Sequence, residues 1–316
     1  MTKLDPALLS RLVREVLEEV LKGEPETPFQ STAPSDAAPH TPRASEPRKE
    51  QPASAERVNP GQAESATPGR RGPDKRPLPG YQKKDAVQRI VDASPARLLQ
   101  GRTGTRYLTE TYLGLRADHA IALDAVESEI AAGWAEKQGW IALKTRCTDH
   151  QQFLLHPDEG RRLDDASRAS IASSASHDVD LQLIAGDGLS AHALMLNGPP
   201  LITELVRAFS AAGFRVGKPL FVKYARIGVQ DEIGVLTRAK ATVMVVGERP
   251  GLGTGDSLSI YTAFKPKLAQ DNAEKDCISN VRSLGLAPEA AAQRCTELMR
   301  RTFAAGGGGV KLASGG

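Results

Sequence analysis

An almost unbroken apolar run, Ala241-Thr-Val-Met-Val-Val246, stops abruptly at Gly247 and gives way to Glu248, Arg249, Pro250 and glycines at 251, 253 and 255. Continuous hydrophobicity without alternation predicts a strand covered on both faces, as in a parallel sheet flanked by helices. The polar loop after it falls outside the carboxyl end of that strand, where open α/β sheets hold their ligands. A plain turn, with Glu248 and Arg249 paired in solvent, explains the loop equally well at this stage.

The same patterning organises the rest of the chain. Residues Asp5 to Lys22 carry Leu and Val at helical spacing between charged positions, with Asp5 as cap, Pro6 in the first turn and Gly23 as stop. Residues 24–82 are dense in Pro, Ala, Ser, Glu and Arg and lack periodicity, the composition of a disordered linker. Short helices are predicted over Asp85–Ala93 and from Ser94-Pro95 through Leu99, followed by the glycine loop Gly101-Arg-Thr-Gly-Thr-Arg106 and helical spacing from Tyr107 to Ala132. Strands are expected at Trp140–Cys147, Val179–Ala185, Pro219–Tyr224, Ala241–Val246 and Leu258–Phe264. Helices are expected at Asp164–Ala175, Pro200–Ala212, Asp231–Ala239 and Pro288–Ala304. This order argues for an α/β fold, a three-layer Rossmann-like domain with a largely parallel sheet. The expected organisation is an amphipathic helix at 1–23, a linker at 24–82, a helical subdomain at 83–135, the α/β domain at 136–305 and a flexible tail at 306–316. In such a sheet the loops Asp187–Ser190, Arg226-Ile227 and Glu248–Gly253 share one edge and converge.

Composition narrows the chemistry. A formal charge of +3 with interspersed signs gives no footprint for nucleic acid. No apolar run reaches membrane-spanning length and no secretory signal is present, which points to the cytoplasm. Cys147, Cys277 and Cys295 are too widely spaced for a disulfide framework or a CxxC site, and the dispersed histidines form no metal-ligand cluster, so no protein-ligated metal is expected. Gly251-Leu-Gly253-Thr-Gly255 is too crowded for a dinucleotide fingerprint and precedes a strand; no Walker motif or GxSxG elbow occurs. Glu248 has the chemistry of a general base but no evident acid partner, and no catalytic residue is assigned.

Several segments, in order, resemble the small (light) chain of ethanolamine ammonia-lyase: Gly101-Arg-Thr-Gly104, Leu115-Arg-Ala-Asp-His119, Asp158-Glu-Gly-Arg-Arg-Leu163, Gly186-Asp-Gly-Leu-Ser190, Phe221-Val-Lys-Tyr-Ala-Arg226, Gly247-Glu-Arg-Pro-Gly-Leu-Gly253, Ser257-Leu-Ser259 and Asp276-Cys-Ile-Ser-Asn280. The resemblance spans about Ile90 to Phe303. It implies an adenosylcobalamin-dependent elimination that turns ethanolamine into acetaldehyde and ammonia, with the radical chemistry on a large subunit and the small chain closing over the cofactor. The family's cofactor contacts fall on Ile227, Glu248 and Cys277. Ile227 stands where Val is expected, Ile260 replaces a Cys in the Ser257-Leu-Ser block, and Thr254-Gly-Asp256 replaces Gln-Ser-Glu. No DxHxxG segment is present, so cobalt is expected to keep its own lower base. The resemblance also implies that the terminal helix docks on shell proteins of a bacterial microcompartment. The alternatives are a free-standing α/β nucleotide-binding enzyme or regulatory protein using the same loop edge, and a structural scaffold.

Overall fold

The computed structural model describes residues 84–93 and 97–314. The expected helix at 5–22, the linker at 24–82 and the helix start at Ser94-Pro95 lie outside these residues. The described chain divides into two units, residues 84–102 and residues 103–314. In the first, helix α1 spans Lys84–Asp92, matching the expected short helix. Residues 97–100 are not helical, contrary to expectation, and Leu99 takes a left-handed φ of +55°, which a continuing right-handed helix excludes.

Two short strands, β1 (Arg102–Thr103) and β2 (Arg106–Tyr107), stand at the glycine loop. The larger unit then runs α2 (Thr109–Glu127), α3 (Trp134–Lys137), β3 (Ile141–Lys144), α4 (His150–Leu155), α5 (Asp165–Ser174), β4 (Leu181–Gly186), α6 (Ala191–Ala211), β5 (Leu220–Lys223), α7 (Val229–Thr237), β6 (Ala241–Gly247), β7 (Leu258–Phe264), β8 (Lys275–Val281), α8 (Pro288–Ala305) and α9 (Val310–Ser314). The stretch 306–316, read as a tail, therefore includes a short helix.

The sheet has the order β3-β5-β4-β6-β7-β8. Its first four strands are parallel, and β7 and β8 add antiparallel to β6. Side chains of successive strand residues enter opposite layers, as the pleat requires. Leu183, Ala185, Val243 and Val245 face α6 and α8, while Ile184, Val222, Met244 and Val246 belong to the cluster shared with α5 and α7. All seven residues of β6 are buried, which is why its sequence shows no alternation.

Helix α6 and strand β8 depart from their patterns. Helix α6 starts at Ala191, where Ser190 Oγ accepts from Ala193 N at 3.1 Å, and it carries Pro199 and Pro200 in its interior. The cap and a buried face including Leu194, Leu201, Leu205 and Phe209 hold it through the missing donors. Strand β8 was not expected, because only Ile278 and Val281 of its Lys-Asp-Cys-Ile-Ser-Asn-Val sequence are buried. It lies at the sheet edge, where one strand's worth of pairing suffices and polar residues are tolerated.

Candidate functional site

From β4 the chain steps to β5 on one side, then returns past β4 to β6 on the other, with α6 and α7 in opposite layers. That reversal opens a crevice at the carboxyl ends of the strands. A cleft of about 1000 Å³ occupies it, at the upper end of ordinary small-molecule pockets. Its walls include Gly188 and Leu189 after β4, Arg226 and Ile227 after β5, and Glu248 and Arg249 after β6. The three loops expected to converge therefore do so.

Asp187 holds two of them together. Its carboxylate, buried at the end of β4, accepts from Tyr224 N at 2.7 Å, Ala225 N at 2.9 Å and Gly188 N at 2.9 Å. These bonds pin the left-handed turn at Tyr224, φ +59°, that sends Arg226 and Ile227 to the cleft. Burial raises the Asp187 carboxyl to about 6 against the pull of the three N–H donors. Asp187 braces the loops.

Glu248 and Cys277, far apart in sequence, are joined through two serines. Glu248 Oε1 accepts from Ser259 Oγ at 2.6 Å and from Asn280 N at 2.9 Å, so this one oxygen ties β6 to β7 and β8. Ser279 Oγ lies 3.4 Å from Ser259 Oγ and 3.2 Å from Cys277 Sγ. Cys277 is exposed and pairs across the strands with Tyr261, whose hydroxyl is pushed up to about 12 by burial and by Cys277. Ser259, Ser279 and Tyr261 line the cleft, whereas Cys277 stands just beyond its lining.

The far wall comes from the segment between β7 and β8. There Lys275 Nζ donates to Asp231 Oδ2 at 3.0 Å, to Gln270 O at 3.1 Å and to Asn272 Oδ1 at 3.3 Å. Both members of the Lys275–Asp231 pair are only 3% exposed. Burial raises the Asp231 carboxyl despite its partner. Arg161 and Arg162, which lead into the β-bridge at Leu163, complete the opposite rim.

The glycine half of the opening loop does something else. Gly253 N donates to Asp118 O of α2 at 3.1 Å, and a Cβ on Gly255 would stand 2.9 Å from Ala125 Cβ. Those glycines let the loop lie close on α2, and the Glu248-Arg249 half faces the cleft. Sequence reading missed Lys275, Gln270 and Asp231 as wall residues and Arg161 and Arg162 as rim residues. The Asp158–Leu163 motif was the one signal that could have pointed to the arginines. Among the described residues no cluster of His, Cys, Asp and Glu could hold a metal ion, and no helix is long and apolar enough to cross a membrane.

The family model of the ethanolamine ammonia-lyase light chain matches residues 84–313. An ethanolamine ammonia-lyase small subunit from Clostridium acetobutylicum is 35% identical over 204 residues, 65% of this chain and 84% of the relative. One from Clostridium perfringens is 35% identical over 229 residues, 72% of this chain and 78% of the relative.

Proposed function

The chain belongs to the ethanolamine ammonia-lyase light-chain family, and from that premise we propose that it is the small subunit of an adenosylcobalamin-dependent enzyme. With a large subunit it converts ethanolamine to acetaldehyde and ammonia, and alone it is inactive. One observation carries this reading: a large cleft at the switch point has Ile227 and Glu248 on its wall and Cys277 linked to Glu248 through Ser259 and Ser279.

The residues present fit such a cofactor. Leu189, Ile227 and Val246 offer an apolar surface, Glu248 Oε1 is engaged while Oε2 has no hydrogen-bond partner among the described residues, and Arg226 Nε is buried without a partner. A ligand with an apolar ring face and a fringe of amides finds both acceptors and donors here. When bound, adenosylcobalamin supplies the radical. This chain would hold and shield it: Ile227 would pack against it, Glu248 would accept hydrogen bonds from its amides, and the exposed Cys277 would add to the wall beside Ser279.

The test mixes the purified chain with a matching large subunit and adenosylcobalamin and follows acetaldehyde. Activity only in the mixture is expected. Activity from this chain alone, or none where the native pair works, would overturn the assignment. In the same complex Glu248→Ala is expected to raise the cobalamin Kd several-fold and leave the ethanolamine KM near its starting value. Equal losses in both would misplace Glu248.

The proposal extends to location. The apolar stripe at residues 5–22 supports docking on microcompartment shell proteins, with the enzyme inside the shell in the cytoplasm. Removing residues 1–23 is expected to keep lyase activity and abolish co-purification with shells. Unchanged shell association refutes it.

A further inference from the structure

One rim of the cleft concentrates positive charge beyond what its carboxylates balance. Arg161, Arg162, Arg226 and Arg249 all line it. Arg161 is bonded to the exposed Asp158 at 2.7 Å, while Arg249 is exposed and has no hydrogen-bond or ion-pair partner among the described residues. Arg226 is built into the wall. Its Nη2 donates to Phe153 O at 2.8 Å, its guanidinium lies 4.2 Å from the centre of the Phe153 ring, and its buried Nε has no partner. A buried guanidinium N–H without an acceptor is costly unless a ligand supplies one. The other charges of the cleft are spoken for: Asp231 by Lys275, and one oxygen of Glu248 by Ser259 and Asn280. Burial pushes the Arg226 guanidinium down, and the nearby charges of Arg249 and Arg161 add to it. An oxyanion among them relieves that repulsion.

We propose that this rim is a phosphate subsite, in which Arg226 and Arg249 bind the phosphodiester that joins the corrin of adenosylcobalamin to its nucleotide base. The inference rests on the cobalamin reading of the cleft. Guanidinium groups suit the task because their planar forks match phosphate oxygens and stay charged at every relevant pH. Arg226 is the donor held by Phe153, and Arg249 is the exposed one, unpaired among the described residues. The rim orients the nucleotide arm, and the apolar wall and Glu248 take the corrin.

The test measures binding, by equilibrium dialysis, to the complex of the full chain with its large subunit. The probes are cobalamin, cobinamide, which lacks the phosphodiester and base, and inorganic phosphate. Arg249→Gln is the main variant because it removes no internal bond; Arg226→Lys retains charge but loses the fork. Arg249→Gln is expected to weaken cobalamin about tenfold, the loss of one charge-assisted hydrogen bond, with cobinamide unchanged. Arg226→Lys is expected to behave alike. An equal loss for both corrinoids, or no loss for either, overturns the subsite and leaves the cobalamin reading standing. If the wild-type complex binds no corrinoid, the cobalamin reading fails. Phosphate binding that Arg249→Gln abolishes then identifies a free-phosphate site, and no phosphate binding overturns the subsite as well.

Discussion

Gly247→Ala is expected to destabilise the chain by about 3 kcal/mol or more in urea unfolding, and to take the cleft with it. A Cβ at this position would run into the backbone oxygens of Ser190 and Asp187, neither of which is the end of a flexible side chain. Gly188 faces the same junction, with φ +59° and a Cβ that would strike Gly247 O and Val246 Cγ2. Leu189 N donates to Gly247 O at 3.1 Å, so the two loops are in direct backbone contact. Pushing them apart moves Glu248, and with it the bonds to Ser259 and Asn280. Gly251→Ala is the control: its Cβ would meet only Thr254 Cβ at 3.9 Å, an ordinary contact, and its stability is expected to stay within about 0.5 kcal/mol. Similar midpoints for the two variants in urea would show that the close approach at Gly247 carries no weight.

Lys275→Met is expected to cost about 3–5 kcal/mol, because it leaves the buried Asp231 carboxyl without its ammonium partner. Burial raises the Asp231 carboxyl and Lys275 pulls against that rise, so desolvation opposes the attraction within the pair. The damage comes from breaking it. Gln270 N still donates to Asp231 Oδ2 at 3.1 Å, but Oδ1 has no partner, and Lys275 also ties down Gln270 O and Asn272. The segment before β8 loosens and the far wall of the cleft goes with it. The double substitution Asp231→Leu with Lys275→Met removes both charges and is expected to recover most of the loss. A single variant that unfolds within about 1 kcal/mol of the wild type would contradict this account.

What could be read along the chain depended on whether a residue's environment is written in its neighbours. Strand β6 was legible because burial on both faces leaves a continuous apolar run, and α8 because Pro288 at its start and helical spacing mark it. Strand β8 was not, since an edge strand with two buried residues has no hydrophobic period to show. The start of α6 was misplaced because a proline pair imitates a helix N-terminus, while the cap that sets it, Ser190, lies ten residues before Pro200.

The site divides the same way. Its position follows from sequence alone: parallel strands put the loops after β4, β5 and β6 at one edge, so Ile227 and Glu248 had to be near each other once the strands were recognised. The light-chain motifs likewise settle the family through residues 84–313. Tertiary structure alone decided that Asp187 braces Tyr224 and Ala225, that Lys275 meets Asp231, that two serines join Glu248 to Cys277, and that four arginines line one cleft. The reason is physical. Hydrophobic periodicity records how deeply a residue is buried, but not which partner reaches it, and a buried charge finds its counter-charge through the packing of elements that are distant in the chain.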